Sequence, residues 1–219
     1  VPYDRLSINI GSAPQVGQVP GAADHAVPVK PIHQFNDRWM ALLERVRNHP
    51  GKTRIILVGG GAGGVELTLA MQFRLRNELA AMGRDPSELE FHLFTADDRV
   101  LPTHPPRVRR AFERRLVARG IHLHKSAPVE QVDAGSVRTV SGERLEGEEI
   151  VWVTQAGGAA WLQDTGLDLD ENGFIKVHDT LQTLTDPDVF AAGDIAQVVN
   201  HPREKAGVFA VRQGPPLAR

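Results

Sequence analysis

The chain has 219 residues, 41% hydrophobic and 24% charged, proportions that suit an ordinary globular protein of one large domain or two small ones. Its formal net charge is −2 and its basic residues are spread along the chain, so no footprint for nucleic acid or acidic lipid stands out. It contains no cysteine, which excludes disulfides, thiolate metal sites and a dithiol relay; any redox chemistry must come from a bound cofactor.

The opening, Val1-Pro2-Tyr3-Asp4-Arg5, lacks the charged-then-apolar build of a secretion signal, and no apolar run approaches the ~20 residues that span a bilayer. A cytoplasmic location is expected, with peripheral membrane attachment open to the intact protein. Val1 leads directly onto a strand-like run, Leu6 to Ser12, as expected of a piece of a longer protein. Residues 13–31 carry Pro14, Pro20, Gly21, Pro28 and Pro31 without apolar periodicity and read as a linker. Phe35, Trp39, Met40, Leu42, Leu43 and Val46 then recur at helical spacing, and Asn48-His49-Pro50-Gly51 supplies a stop.

Arg54-Ile55-Ile56-Leu57-Val58 is an apolar, β-branched run without polar alternation, as in a strand buried on both faces of a parallel sheet. A largely buried helix is predicted from Val65 to Met82, a strand over Phe91–Thr95, a helix around Val108–Ala118 and a strand at Ile121–His124. Such a βαβαβ order implies a Rossmann-like, doubly wound parallel sheet in a three-layer α/β fold. Between 128 and 154, short segments separated by turns read as an inserted antiparallel β-meander, which leads into a strand at Ile150–Thr154.

Between the first of these strands and its helix lies Gly59-Gly60-Gly61-Ala62-Gly63-Gly64, a G-x-G-x-x-G match with Gly59, Gly61 and Gly64 at the defining positions. Gly59 suits the tight turn, Gly61 the close approach of a pyrophosphate and Gly64 the packing of helix on strand, while the helix start at Val65 offers free N–H groups to phosphates. The bland alternative is a flexible turn in some other doubly wound protein. A carboxylate ordinarily follows the second strand to hold the adenosine ribose; Thr95 stands there, followed by Ala96, Asp97 and Asp98. Thr95 would not repel a 2′-phosphate and Arg99 would attract one, so NADH and NADPH both stay open.

Three further stretches, Gly64-Val65-Glu66-Leu67, Asn172 to Val177 and Val189 to Ala196, make the chain resemble the pyridine nucleotide-disulfide oxidoreductase family over nearly its whole length. It is most similar to the branch without active-site cysteines, the type II NADH dehydrogenase-like flavoproteins. Lys205 to Ala218, with Trp152 to Ala156, further resembles a module fused to or encoded beside selenophosphate synthetase.

The resemblance implies an FAD-dependent NAD(P)H oxidoreductase that passes hydride from the nicotinamide to flavin. Residues 1–31 would then be a remnant of the FAD domain with its linker, 32–182 the NAD(P)H-binding domain and 183–219 the return to the FAD domain. It implies Glu66 as the acid beside the nicotinamide, where the bland alternative is a solvated carboxylate favoured by the helix dipole. It places Thr154-Gln155 where relatives have Thr-Gly, and assigns Gly11, Ser12, Gly193 and Asp194 to the flavin. The family's own FAD glycine motif belongs to a missing FAD-domain half, so this chain alone is expected to bind FAD weakly or not at all and to be inactive.

A degenerate Rossmann scaffold or regulatory domain without nucleotide binding, linked to selenium metabolism, is the alternative that Thr95 and Gln155 would favour. A stand-alone NAD-dependent dehydrogenase would need its own acid or base and a substrate pocket, and no such constellation stands out. His122 and His124 share a strand face but have no third ligand at motif spacing, so no metal is assigned. The run Arg107, Arg109, Arg110, Arg114 and Arg115 reads as a basic helix face, and Trp152 as a core residue.

Overall fold

A computed structural model of the protein describes residues 2–154, 156–203 and 205–218. The strands and helices begin with β1 (Leu6–Ile8), β2 (Ala13–Pro14), α1 (Ala22–His25), β3 (Val27–Pro28), α2 (Ile32–Asn48), β4 (Thr53–Val58) and α3 (Ala62–Ala81). Then come β5 (Leu89–Phe94), α4 (Pro106–Ala118), β6 (Ile121–His124), β7 (Val129–Asp133), β8 (Ser136–Thr139), β9 (Arg144–Glu146) and β10 (Glu149–Trp152). The remainder is β11 (Ala156–Gly157), β12 (Ile175–Val177), β13 (Val189–Ala191), β14 (Ala196–Val198) and α5 (Gly207–Leu217). The chain divides into two units, Pro14–Gln155 and Val1–Ala13 with Ala156–Arg219.

The larger unit is a three-layer α/β fold around a parallel sheet in the order β3-β10-β4-β5-β6. From β4 the chain winds outward through β5 to β6, and β10 and β3 lie on its other side, so the winding direction reverses beside β4. Alternation along the strands sorts the two faces: Ile55, Leu57, Phe91, Leu93 and Val151 join the cluster of helices α2, α3 and α4. Ile56, Val58, Phe94, Ile150 and Trp152 pack with Val132, Val137 and Leu145 of the antiparallel meander β7-β8-β9. Helices thus cover one face and the meander the other. Leu75 and Leu79 of α3 are fully buried, each worth about 1.5–3 kcal/mol of hydrophobic stabilisation.

Residues 14–31 are not the free linker that their composition suggests. Val27 and Pro28 pair with Val151 and Trp152 as the edge strand of the parallel sheet. Ala22 and Ala26 are buried in the meander-side cluster, and the Val132 amide donates to Pro20 O at 3.0 Å. These contacts draw the unit boundary at 14 rather than near 31. On the helix side, buried Glu149 of β10 accepts a 2.8 Å bond from Arg45 of α2. Trp152 is core, as expected from its place in the strand, whereas Trp161 is exposed.

In the smaller unit β1 pairs with β13 and β12 with β14, both in parallel. Ile8, Leu162, Phe174, Ile175, Val177, Leu181, Val189 and Ile195 make its core. The Asn172–Phe174 turn is shaped by Asp170, whose Oδ1 accepts from the amides of Asn172 and Phe174, each at 2.9 Å.

Candidate functional site

The glycine loop leaves β4 at its carboxyl end, beside β10 and β5, where the winding direction reverses. Crevices at that position in open α/β sheets are the usual ligand sites. The Gly59 amide donates to Phe94 O at 2.9 Å, joining the start of the loop to the end of β5. Gly59 has φ +129°, and a Cβ on it would lie 2.6 Å from the Val153 carbonyl carbon. A Cβ on Gly64 would strike Gly59 O and lie 2.9 Å from its carbon. One on Gly60 would lie 2.5 Å from Thr95 Cβ.

Gly61 differs: it is exposed, and a Cβ there would meet nothing within 4 Å. It is the N-cap of α3, no side chain caps the helix, and the first helical bond is Val65 N–H to Gly61 O at 3.0 Å. The preceding turn, through exposed Ala62 and Gly63, therefore has amides with no intrahelical acceptor at the positive end of a 20-residue helix. This surface suits an anion that approaches the backbone closely.

Thr95 is buried, and its Oγ1 accepts from the Asp97 amide at 3.3 Å, so its hydroxyl shapes the loop; the exposed carboxylates there belong to Asp97 and Asp98. The loop after β5 is tied back to the glycine turn by Leu101, whose amide donates to Gly60 O at 2.8 Å. Leu101 has φ 54°, a left-handed conformation held by burial of its side chain in the helix-side core. Composition gives no signal for that tie, and the sequence reading missed it.

Val65 is fully buried in the core, and Glu66 is exposed on the first turns of α3. Thr154 is half-buried just beyond β10, and Gln155 lies outside the described residues. Beside the β5 loop, Arg99, Arg109, Arg110 and Lys125 with Asp98 and Glu113 line a cleft of about 240 Å³. The guanidinium of Arg99 holds the Asp98 carboxyl below the usual range, with Nε to Oδ1 at 2.6 Å.

In the smaller unit, Ser12 Oγ donates to Asp194 Oδ2 at 3.3 Å across 182 positions of chain. Gly11 (φ 71°) precedes Ser12, and Gly193 (φ 76°) precedes Asp194. A Cβ on Gly193 would lie 2.6 Å from Asn9 Oδ1, and its amide donates to Gln213 Oε1 at 2.6 Å. The structure thus brings together the four residues that the resemblance assigns to flavin. It adds Asn9 and Gln213, which no motif marks. Lys205 of the same unit donates to Ala196 O at 2.7 Å and lies 4.0 Å from the Phe174 ring centroid; burial pushes its ammonium below the usual range.

The family model described as pyridine nucleotide-disulphide oxidoreductase matches residues 1–214. Among curated proteins, the chain is 27% identical to the type II NADH:quinone oxidoreductase of Haemophilus influenzae, over 91% of this chain and 50% of that protein. It is 28% identical to an NADH oxidase of Enterococcus faecalis, over 98% of this chain and 46% of that one. Among solved structures, the water-forming NADH oxidase from Lactobacillus brevis bound to NADH superposes with a TM-score of 0.74 at 24% identity, covering 99% of this chain and 46% of that one. A ferredoxin reductase from Rhodopseudomonas palustris gives 0.75 at 20%, covering 97% and 50%. The chain spans about half the length of the relatives it matches.

Proposed function

Because this chain belongs to the pyridine nucleotide-disulphide oxidoreductase family, in its NADH-dehydrogenase-like branch, we propose that it is the NAD(P)H-binding part of an FAD-dependent oxidoreductase that passes hydride from NAD(P)H to flavin. The observation that carries the reading is Gly61. The other two defining glycines are demanded by the chain's own backbone, whereas Gly61 has no neighbour that excludes a side chain, as expected where a ligand takes that space.

In this reading the amides of Gly61, Ala62 and Gly63, at the α3 N-terminus, hold the pyrophosphate, and Gly60 keeps the loop against Thr95. Val65 anchors the helix, Thr154 borders the nucleotide with Gln155 beyond it, and Glu66 orients the nicotinamide. Nicotinamide and flavin supply hydride transfer between themselves; the protein supplies position and exclusion of water. Gly11, Ser12, Gly193 and Asp194 are assigned to the flavin side, with Ser12 fixing the Asp194 carboxylate. The described residues contain a single G-x-G-x-x-G between strand and helix, which supports FAD being bound chiefly by the rest of the intact protein. The likeness of residues 205–218 to the selenophosphate synthetase-associated module supports a partnership with that enzyme, which co-elution of the two proteins tests. No helix among the described residues is long and apolar enough to cross a membrane.

Calorimetric titration with NADH and with NADPH tests the nucleotide reading. At least one should bind, and Gly61→Val should weaken it by about tenfold or more, about 1.4 kcal/mol, without changing the melting temperature. The buried, amide-bonded Thr95 favours a second reading, a scaffold with no nucleotide pocket; absence of binding by either nucleotide at millimolar concentration would establish it.

A further inference from the structure

Parallel pairing of β5 with β6 sets His92 beside His122 and Phe94 beside His124. Glu90 lies two residues before His92, so its side chain shares their face of the sheet. His92 is 5% exposed, and its ring stacks on His122 with centroids 4.6 Å apart. Its Nδ1 lies 2.9 Å from His124 Nε2, and its Nε2 lies 3.4 Å from Glu90 Oε1 without making a hydrogen bond. His122 Nε2 is 3.8 Å from the same Glu90 oxygen, and His124 Nδ1 is 3.3 Å from Glu143 Oε1. Arg54 holds the other Glu90 oxygen, its Nε 2.9 Å away.

Proton counting leaves one contact in this cluster without a donor. The line Glu90, His92, His124, Glu143 has three contacts, each needing a proton or another cation between its two acceptor atoms. Two neutral imidazoles bring only two protons. If His124 gives its Nδ1 proton to Glu143, it must accept at Nε2 from His92 Nδ1, and the bare lone pair of His92 Nε2 then faces the Glu90 carboxylate. The 3.4 Å gap between those two acceptor atoms is wider than an ordinary N–H···O bond and suits a bridging cation.

We propose that Glu90 Oε1, His92 Nε2 and His122 Nε2 bind a divalent transition-metal ion of the zinc class, with water in the remaining position. The three atoms lie within 4.8 Å of one another. Tetrahedral zinc with bonds of about 2.0–2.2 Å needs ligand atoms about 3.4 Å apart. The Glu90–His92 pair already has that spacing, and exposed His122 closes the rest by side-chain rotation. His124 and Arg54 serve as the outer partners that fix the His92 tautomer and the Glu90 orientation. Imidazole and carboxylate together suit zinc, cobalt or nickel rather than magnesium or calcium.

The test is titration of the chain with Zn²⁺ by calorimetry and with Co²⁺ by visible absorption, on wild type, His122→Ala and a His33→Ala control. One ion per chain is expected, with tetrahedral Co²⁺ bands. His122→Ala should weaken binding at least about tenfold at an unchanged melting temperature, and His33→Ala should behave as wild type. Because His122 is exposed, its loss leaves the fold intact. No Zn²⁺ binding at 1 mM, on the order of the weakest affinity worth the name, or equal binding by His122→Ala and wild type, would overturn the site.

Discussion

At the scale of single residues, the glycine loop separates two reasons for having no side chain. Gly64 sits against the Gly59 carbonyl, so Gly64→Ala must move backbone and should cost about 3 kcal/mol or more. Gly61→Ala meets nothing, and the extended Gly61 backbone suits any residue, so its cost should stay within about 0.5 kcal/mol. Urea midpoints of the two variants check the contrast; equal losses would remove the argument that Gly61 is reserved for a ligand. The motif spacing made all three glycines legible as a set, but not this division, because it depends on Val153 meeting Gly59 from just beyond β10 and on the loop folding Gly64 onto the Gly59 carbonyl. Thr95 is similar: its position after the second strand could be read from the chain, whereas its burial and its close approach to Gly60 belong to the packing.

Among the elements, β10 shows how a buried charge fastens a helix to a sheet. Glu149 is 5% exposed, and Arg45 and Arg38 of α2 approach it at 2.8 Å and 3.7 Å. Removing one partner of a buried pair is costly, but Arg45 is 39% exposed and can rehydrate. Glu149→Ala should therefore destabilise by about 2 kcal/mol, read as a fall in the denaturant midpoint at constant m. Helical spacing located α2, and unbroken apolar runs bounded by turns located β4, α3 and β5, because the central strands are buried on both faces. Neither signal marks the edge strand β3, whose two residues, Val27 and Pro28, are too short to show a repeat and are ordered by pairing with β10.

Across the larger unit, acid should act through carboxyls held ionised by near neighbours. Arg47 donates to Glu78, the Ser87 amide to Asp85, and Arg84 with the Gly51 amide to Glu88; each carboxyl is lowered from its ordinary value. Groups depressed in the folded state contribute stability above their unfolded values, near 4, and lose it as pH falls through the folded ones. Melting temperature should therefore drop between about pH 5 and 3, with a shallower drop in Glu88→Gln, after a first decline from about pH 6.5, because buried His92, pushed down to about 4, resists the protonation that the unfolded chain accepts. A melting temperature independent of pH across that range would contradict the assignment.

By itself the sequence determined the kind of fold and the place of the glycine loop, since a strand, a glycine turn and a helix are written in local order and local periodicity. The resemblance carried by Gly64 to Leu67, Asn172 to Val177 and Val189 to Ala196 pointed to the family that the model spanning residues 1–214 shows. Only the tertiary structure decided which glycine is free, that Ser12 meets Asp194 across 182 positions, and that Glu90 and His92 lie beside His122. Those facts depend on strand register and long-range closure, which bring together residues that no short window of sequence relates.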